Sequence, residues 1–350
     1  MLILGIESSC DETAAALVED GIRVLSTVTA STQDVFSDAG GVVPEDAARR
    51  QLEYILPVLH AALKQANVSY DSIDAIAVTR GPGLLGSLLV GTTAARTIAM
   101  LWGKPLIGVH HTFGHLCSTW IAQNSTLAFP IITLSVSGGH TDLWYRTSHM
   151  RGKLIGRTRD DAAGEAFDKG ASMLGLPYPG GPSIAKAAQS GDERSFDFPK
   201  PLHSDDTLDF SYSGLKTALK YIIRDITASN SSDKKSAVPV LPISDLAASY
   251  QYAICAQLID RVEQALKVYP DVQQVHIVGG VSANTLLRSM ITNAIEGGAT
   301  VRWPVTLAYC TDNAAMIASA GYFLQLENPQ QAYEAFLTSA TIPLESVVTA

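Results

Sequence analysis

An internal repeat of three strands is the feature that most constrains the fold of this chain. Short apolar runs predict two sets of strands, at residues 2–7, 13–19 and 22–29 and again at 131–136, 141–146 and 153–157. Each set is followed by segments with helical and strand periodicity. The sequence therefore predicts an α/β fold of two similar lobes that face a central cleft. We expect the first lobe over 1–127 and the second over 128–326, with 327–350 packing back on the first.

Composition places the chain among globular proteins. Of its 350 residues, 47% are hydrophobic and 17% are charged. No apolar run reaches the roughly 18 residues that a membrane span requires. The four cysteines lie far apart without a CxxC pair, which indicates neither a disulfide framework nor a cysteine zinc site. We expect a cytoplasmic protein that does not associate with membranes.

Acidic residues are absent from 75 to 141, although the whole chain carries 34 of them and a net charge of −9. At the average frequency, such a window would hold about six or seven. Buried helices and strands exclude acids by themselves, which is one explanation. However, half of the eight histidines lie in this window, together with the strings RGPGLLGS, HHTFGH and VSGGHT. The pattern also suits a region that binds an anion.

The two polar turns of the repeat, SSCDE and SGGH, join hairpin strands and present backbone N–H groups to the predicted cleft. Ser137-Gly138-Gly139 lets the backbone approach a phosphate closely, while a tight turn without a ligand is the alternative. In the opposing turn, Asp11 is a candidate for holding a metal, a water or a hydroxyl group.

Residues 81–86 read GPGLLG between a predicted strand and a predicted helix, which matches the glycine spacing of dinucleotide-binding loops. Such loops require an acidic residue about 20 positions later, and the acid-free window contains none. We interpret these glycines as positions of close packing or of a substrate-facing turn.

His111 and His115 stand four residues apart, so on a helix both imidazoles lie on one face at a spacing that suits one metal ion. Gly114 between them indicates close approach of another element. No glutamate follows either histidine, which excludes the HExxH pattern of zinc proteases. A third ligand must come from elsewhere. Asp312, at the start of a predicted helix, is a candidate ligand, and capping of that helix is its alternative role.

Two further segments predict a nucleoside site. A strand at 274–278 runs into GGVSAN and a helix, where a nucleoside can lie against the backbone. The string DDAAGEAFDKGASMLGLPYPGGPS contains Asp168, whose carboxylate suits ribose hydroxyls, and Gly180-Gly181, which permit close approach. A solvated helix residue and a simple turn are the alternatives.

Nine strings follow one another through nearly the whole chain: ILGIESSCDET, GGVVPE, GPGLLGSLLVG, HHTFGH, VSGGHT, DDAAGEAFDKGASMLGLPYPGGP, FSYSGLKTAL, GGVSAN and CTDNAAMIA. Together they resemble the TsaD family, the tRNA N6-adenosine threonylcarbamoyltransferases. The resemblance implies the duplicated, ribonuclease H-like fold of actin, Hsp70 and sugar kinases. It also implies metal-dependent transfer of a threonylcarbamoyl group from threonylcarbamoyl-adenylate to N6 of adenosine 37, with release of AMP, in tRNAs that read codons beginning with A.

The resemblance assigns functional residues and partners as well. The family metal site falls on His111, His115 and Asp312 and holds one divalent ion, for which iron is favoured and zinc or magnesium are the alternatives. Substrate-binding positions fall on Ser135, Val136, Ser137, Gly138, Gly139, Asp168, Gly181 and Asn284. Asp11 is a candidate catalytic base. The expected partners are tRNA, threonylcarbamoyl-adenylate, a TsaB-like paralogue that pairs with the first lobe, and a TsaE-like ATPase.

One position departs from the family pattern. Phe113 stands where members usually carry a glutamate, which puts a polar role beside the metal ligands in question. The ligands themselves are retained.

Three other classes of function share part of the pattern. An ATPase or sugar kinase of the same fold needs the polar turns, but it does not need a histidine pair with a distant aspartate. A non-catalytic, dimer-forming relative would be expected to lose these ligands. A metalloprotease rests only on the histidine pair and lacks a glutamate base beside it.

An acidic chain that binds a polyanion must gather its cations on one surface. Lys216, Lys220 and Arg224 follow the i, i+4, i+8 spacing on a predicted helix, and a nearby polar loop adds Lys234 and Lys235. This stripe is the predicted tRNA contact, and a solvated helix face is the alternative.

Overall fold

The first lobe is built on a five-stranded mixed sheet. The computed structural model describes residues 1–31, 43–123, 128–203, 205–231, 241–295 and 298–349. The strands of the first sheet are β1 (Leu2–Glu7), β2 (Glu12–Glu19), β3 (Arg23–Ser31), β4 (Ala75–Gly81) and β5 (Leu106–His110). Their order is β3-β2-β1-β4-β5, with β1, β2 and β3 antiparallel and with β4 parallel to β1 and β5.

The second sheet repeats this topology. Its strands are β6 (Ile131–Val136), β7 (Thr141–Arg146), β8 (Gly152–Arg157), β9 (Gln274–Val278) and β10 (Thr300–Arg302). Their order is β8-β7-β6-β9-β10, and the antiparallel and parallel pairings match those of the first sheet one by one. The predicted duplication and the predicted α/β fold class are therefore confirmed.

Helices cover both sheets. Those of the first half are α1 (Pro44–Ala66), α2 (Leu85–Trp102) and α3 (His111–Cys117). Those of the second half are α4 (Ala163–Met173), α5 (Gly180–Ala188), α6 (Ser213–Ser231), α7 (Ile243–Val268), α8 (Thr285–Ala294), α9 (Ala314–Glu327) and α10 (Pro329–Ala332).

Strand β1 lies in the middle of the first lobe and is buried on both faces. Ile3 packs with α9 on one face, while Leu4 and Ile6 pack with α1 and α2 on the other. Gly5 lies directly against the backbone of Ala314, so α9 crosses the strand at close range. Because β1 points toward the cleft, this packing brings the end of the strand to the start of α9.

Helix α9 and the chain end contribute to the first lobe, although the predicted boundary at 326 falls within the last turn of α9. Beyond α9, Ser339 N donates to Arg80 O at 3.0 Å and Gly83 N donates to Ala340 O at 3.1 Å. The last described residue, Thr349, accepts from Gly152 N at 2.8 Å at the edge of the second sheet. The C-terminal segment thus contacts both lobes.

Helix α2 is, among the described residues, the one helix long and apolar enough to cross a membrane. Leu88, Gly91 and Ala95 line its buried face. Gly91 lies so close to Ser8 that a larger side chain would collide with it. This face is therefore occupied by packing within the first lobe.

A buried polar cluster joins the two lobes. Arg146 of β7 is fully buried and donates to Leu116 O at 3.1 Å and to His149 O at 3.0 Å. Its guanidinium also lies 5.3 Å from the ring centroid of Trp120. Because Leu116 belongs to α3, a charged residue of the second lobe fixes the helix that carries the histidine pair.

Candidate metal centre

Helix α3 begins directly at the end of β5 and places both histidines of the HHTFGH string on one side. The ring centroids of His111 and His115 lie 4.8 Å apart. A Cβ atom on Gly114 would lie 2.8 Å from Ile317 Cδ1 and 3.2 Å from Met316 Cγ, so the glycine leaves room for these side chains of α9. The close approach that Gly114 indicates is therefore made by α9, and it brings Asp312 to the histidines.

Asp312 faces the histidines because its neighbour takes the capping role. Asn313 Oδ1 accepts from Met316 N at 2.9 Å and caps α9. Asp312 Oδ1 lies 3.0 Å from His115 Nε2 and 3.4 Å from His111 Nε2. One potential ligand atom from each residue of the triad lies within 4.8 Å of the others.

The electrostatics of this triad favour an ionised carboxylate. Burial opposes ionisation of Asp312, but the positive charge of His111 and hydrogen bonds from both imidazoles hold the pKa of Asp312 below its usual range. Burial by itself lowers the pKa of His111, yet the negative charges of Asp312 and Glu7 raise it well above its usual value. Two imidazoles and one carboxylate form the donor set of 2-His-1-carboxylate iron sites and also suit zinc. The residues therefore fit a divalent ion.

Glu7 is a site residue that the sequence reasoning missed. It is fully buried at the end of β1, and its Oε2 lies 3.2 Å from His111 Nδ1. Thr79 Oγ1 donates to the same oxygen at 2.6 Å. The only signal in the sequence is an acidic residue that ends an otherwise apolar strand.

The β6–β7 turn forms the opposing wall of the cleft. Ser137 Oγ accepts from His140 N at 3.1 Å and from Gly139 N at 3.3 Å, which closes the turn. A Cβ atom on Gly138 or on Gly139 would meet nothing within 4 Å, so these two residues border open space. Ser135 and Val136 are buried within β6.

His140, at the end of this turn, shows how close the turn lies to the triad. Burial lowers its pKa, and the positive charges of His111 and His115 lower it further.

Tyr178 shows that the loop before α5 also lies near the first polar turn. Burial and the charge of Asp168 raise its pKa, with further contributions from residues of the first polar turn. The metal centre and the predicted substrate loops therefore face the same cleft.

Asp168 and Asn284 both have partners within the second lobe. Asp168 Oδ1 accepts from Gly180 N at 2.7 Å at the start of α5, and burial raises the pKa of this carboxyl group. Asn284 Oδ1 caps α8 by accepting from Leu287 N at 3.1 Å, and Nδ2 donates to Gln251 Oε1 at 3.0 Å. Gly181 resembles the turn glycines, since a Cβ atom there would meet nothing within 4 Å.

The first polar turn places two carboxyl groups near the metal ligands. The pKa of Glu12 is raised to about 10 by burial, and the negative charges of Asp312 and Asp11 add to this effect. Burial therefore favours the protonated form of Glu12, which the sequence reasoning did not single out, and Asp11 lies beside it.

The GPGLLG glycines hold this turn in place by close packing. Gly83, with φ of 155°, lies against Ser9, and Leu84 N donates to Ser9 O at 2.7 Å. Gly81 lies against the backbone of Ser339. Of the two interpretations of these glycines, the structure therefore shows close packing.

Phe113 is fully buried in the core that α3 shares with α9. It therefore presents no group to the cleft.

The predicted tRNA stripe is only partly available. Lys216 Nζ forms a 2.6 Å ion pair with Asp161 Oδ2, and Arg224 pairs with Asp225 at 2.7 Å. Lys220 is exposed on the same helix. The predicted contributions of residues 234 and 235 lie outside the described residues.

Comparisons with known proteins identify the family of this chain. The family model described as TsaD, tRNA N6-adenosine threonylcarbamoyltransferase, matches residues 23–319. The chain belongs to this family. The resemblance to TsaD proteins that the nine strings indicate is thereby confirmed.

TsaD relatives match the chain almost from end to end. A tRNA N6-adenosine threonylcarbamoyltransferase of Symbiobacterium thermophilum is 50% identical over 324 residues, which cover 92% of this chain and 91% of the relative. One from Thermomicrobium roseum is 46% identical over 340 residues, covering 93% and 92%. Among solved structures, the crystal structure of T. kodakarensis HypF aligns with a TM-score of 0.59 at 14% identity, covering 95% of this chain and 49% of HypF. This last likeness concerns the fold alone.

Proposed function

We propose that this protein transfers a threonylcarbamoyl group from threonylcarbamoyl-adenylate to N6 of adenosine 37 in tRNAs that read codons beginning with A, with release of AMP. The observation that carries the proposal is the convergence of His111, His115 and Asp312 opposite a glycine turn, in a chain of the TsaD family. A kinase of the same fold needs the turn alone, whereas a transferase that holds an acyl group needs both.

Each wall of the cleft has its own task. The Ser137-Gly138-Gly139 turn holds the adenylate phosphate against its backbone, because no side chain at Gly138 or Gly139 obstructs the approach of an anion. Asp168 accepts from the ribose hydroxyls, and the backbone beside Gly181 and Asn284 borders the nucleoside. Ser135 and Val136 shape the strand beneath the turn.

His111, His115 and Asp312 would hold a divalent ion, iron in our proposal, and such an ion would supply Lewis-acid polarisation of a carbonyl group. The remaining work belongs to the chain. An exocyclic adenine amine is a weak nucleophile, so holding N6 in line with the carbonyl carbon contributes most. Asp11, in the polar turn nearest the ligands, accepts the proton that leaves N6. The phosphate-binding turn stabilises the departing AMP.

A TsaB-like paralogue, in our proposal, docks on an apolar face of the first lobe. Leu52 and Leu56 of α1 are 64% and 67% exposed, and Leu85 and Leu89 of α2 are 47% and 46% exposed. Each pair has the i, i+4 spacing, so both point the same way from adjacent helices. An exposed apolar patch of this kind is typical of a protein interface. We also propose that a TsaE-like ATPase acts together with this protein, and that the protein is located in the cytoplasm.

The tRNA reaches the cleft over the second lobe. The stripe Lys216, Lys220 and Arg224 stays our proposed contact, with Lys220 as its most accessible member, because the other two form ion pairs.

Nucleoside mass spectrometry tests the proposal. Transfer RNA from cells depleted of this protein should lose threonylcarbamoyl-adenosine, and the purified chain with the paralogue, ATPase, adenylate and unmodified tRNA should restore it. Unchanged modification after depletion would contradict the proposed reaction.

A further inference from the structure

The surroundings of Glu7 are arranged around its two carboxylate oxygens. Ser9 N donates to Oε1 at 2.5 Å, and Thr79 Oγ1 donates to Oε2 at 2.6 Å. The remaining polar neighbour is His111, whose Nδ1 lies 3.2 Å from Oε2. The residue is fully buried, so water cannot replace these contacts without a rearrangement.

This arrangement fixes the tautomer of His111. A carboxylate oxygen only accepts, so the hydrogen bond requires the proton of the ring to sit on Nδ1. Without a metal, Nε2 carries the second proton of the ring and faces Asp312 Oδ1 at 3.4 Å. When a metal displaces that proton, the Glu7 contact keeps the other proton on Nδ1 and leaves Nε2 as the ligand atom. Ser9 Oγ, 3.1 Å from the same Nδ1, is a second group that can accept this hydrogen.

We propose that Glu7 is a positioning residue of the metal centre, which holds the His111 ring so that Nε2 is presented as a ligand. The inference rests on the proposed metal-dependent function. In metal sites, a carboxylate that binds the second nitrogen of a ligating histidine typically contributes about 10- to 100-fold to metal affinity. Thr79 supports Glu7 in turn, because it orients the shared oxygen.

If Glu7 only held the turn in place, loosening that turn by another route would weaken metal binding as much as changing Glu7. Through Ser9 N, the same carboxylate also holds the turn between β1 and β2. Gln51 holds that turn independently, since Nε2 donates to Cys10 O at 3.0 Å and to Glu12 O at 3.1 Å without contacting His111. Gln51→Met is therefore a matched control, because it loosens the turn and leaves the hydrogen bond between Glu7 and His111 in place.

The experiment measures affinity for Zn²⁺ by competition with a chromogenic chelator on the full chain, without tRNA or adenylate. We expect Glu7→Gln to weaken binding about 10- to 100-fold and Thr79→Val to weaken it less, with Gln51→Met within about threefold of wild type. Thermal melts monitor folding of each variant. Nitrogen-15 NMR of the zinc-loaded protein should show a hydrogen-bonded Nδ1–H at His111 in wild type and a weaker hydrogen bond at Nδ1 in Glu7→Gln.

The outcomes separate two failures. If the wild-type protein binds no Zn²⁺, both the proposed metal centre and the proposed function are contradicted. If wild type binds and Glu7→Gln binds equally well, or if Gln51→Met loses as much affinity as Glu7→Gln, the positioning role of Glu7 is overturned while the metal centre stands.

Discussion

Neighbouring carboxyl groups at the candidate metal centre have pKa values that are shifted in opposite directions. Burial disfavours ionisation of Asp312, but the charge of His111 and the imidazole hydrogen bonds lower its pKa below the usual range. Burial raises the pKa of Glu12 to about 10, and the negative charges of Asp312 and Asp11 add to this effect. The cleft therefore favours the ionised form of Asp312 and the protonated form of Glu12.

Metal loading should depend on the two histidines of α3 and not on the one before it. His111→Ala or His115→Ala should lower metal affinity by about 100-fold or more with the fold retained, because only one imidazole and one carboxylate remain. His110→Gln is the control, since His110 Nε2 bonds to Ile342 O at 2.9 Å, away from the triad. Metal analysis beside a thermal melt measures both effects. Full occupancy in the alanine variants would rule out the ligand assignment.

The proposed role of the Ser137-Gly138-Gly139 turn in binding phosphate can be tested by adding a single methyl group. Gly139→Ala should change the free energy of unfolding by less than about 0.5 kcal/mol, because its Cβ atom enters open space. The same atom should weaken binding of a non-hydrolysable adenylate on the order of tenfold by blocking close approach. Gly214→Ala, on α6, is the control, since its Cβ atom meets only Pro201 Cγ at 4.0 Å. Equal calorimetric affinities for Gly139→Ala and wild type would refute the phosphate role.

At the scale of elements, local patterns predicted the strands well and the contacts between elements poorly. The apolar runs at 2–7 and 131–136 are short patterns that can be recognised without the rest of the chain. Each of them therefore predicts the bounds of a strand, β1 or β6. The role of Glu7 depends on where β4 and α3 lie, which no window around Glu7 contains. The pairing of Lys216 with Asp161 was missed for the same reason, since α6 had to be placed against the loop before α4.

The apolar face of α1 and α2 should be required for association with the paralogue. Leu52→Asp combined with Leu56→Asp should lower the affinity for the paralogue about 100-fold or more while leaving metal loading unchanged, because both side chains are mostly exposed and far from the ligands in sequence and packing. Val268→Asp, at a 61% exposed valine that ends α7 in the second lobe, provides the comparison. Sedimentation of the mixed proteins measures the complex. Undiminished association of the double variant would place the interface elsewhere.

On the scale of the whole molecule, the lobes meet through a cluster of buried, neutral imidazoles around Arg146. His149 stacks on Phe323 with ring centroids 3.6 Å apart, and His276 bonds through Nδ1 to Thr119 Oγ1 at 2.8 Å. Burial lowers the pKa of both histidines well below the usual value, and the charge of Arg146 lowers it further. The junction of the lobes is therefore built to hold uncharged rings.

Acid should destabilise this junction. Below the usual histidine pKa, the unfolded chain binds protons that the folded chain does not, so stability is retained at neutral pH and falls as pH drops below about 6.5. Each such histidine contributes a slope of up to about 1.4 kcal/mol per pH unit. Denaturant titrations between pH 7 and 5 measure how the free energy of unfolding depends on pH. This dependence should be weaker for His276→Gln than for wild type. His60→Gln, on the exposed surface of α1, should have the same pH dependence as wild type. Identical slopes for all three proteins would contradict the assignment.

Helix α9 covers β1 from the far end of the chain, and this has a consequence for biosynthesis. A ribosome makes all five strands of the first sheet before the second lobe, but the face that carries Ile3 gains its cover only when Ala314–Glu327 has emerged. Until then, the earlier-made half holds an apolar surface open to water and to other nascent chains. The first lobe is thus first to be translated but cannot be first to finish folding, and the metal centre, which needs Asp312, forms only near the end of synthesis.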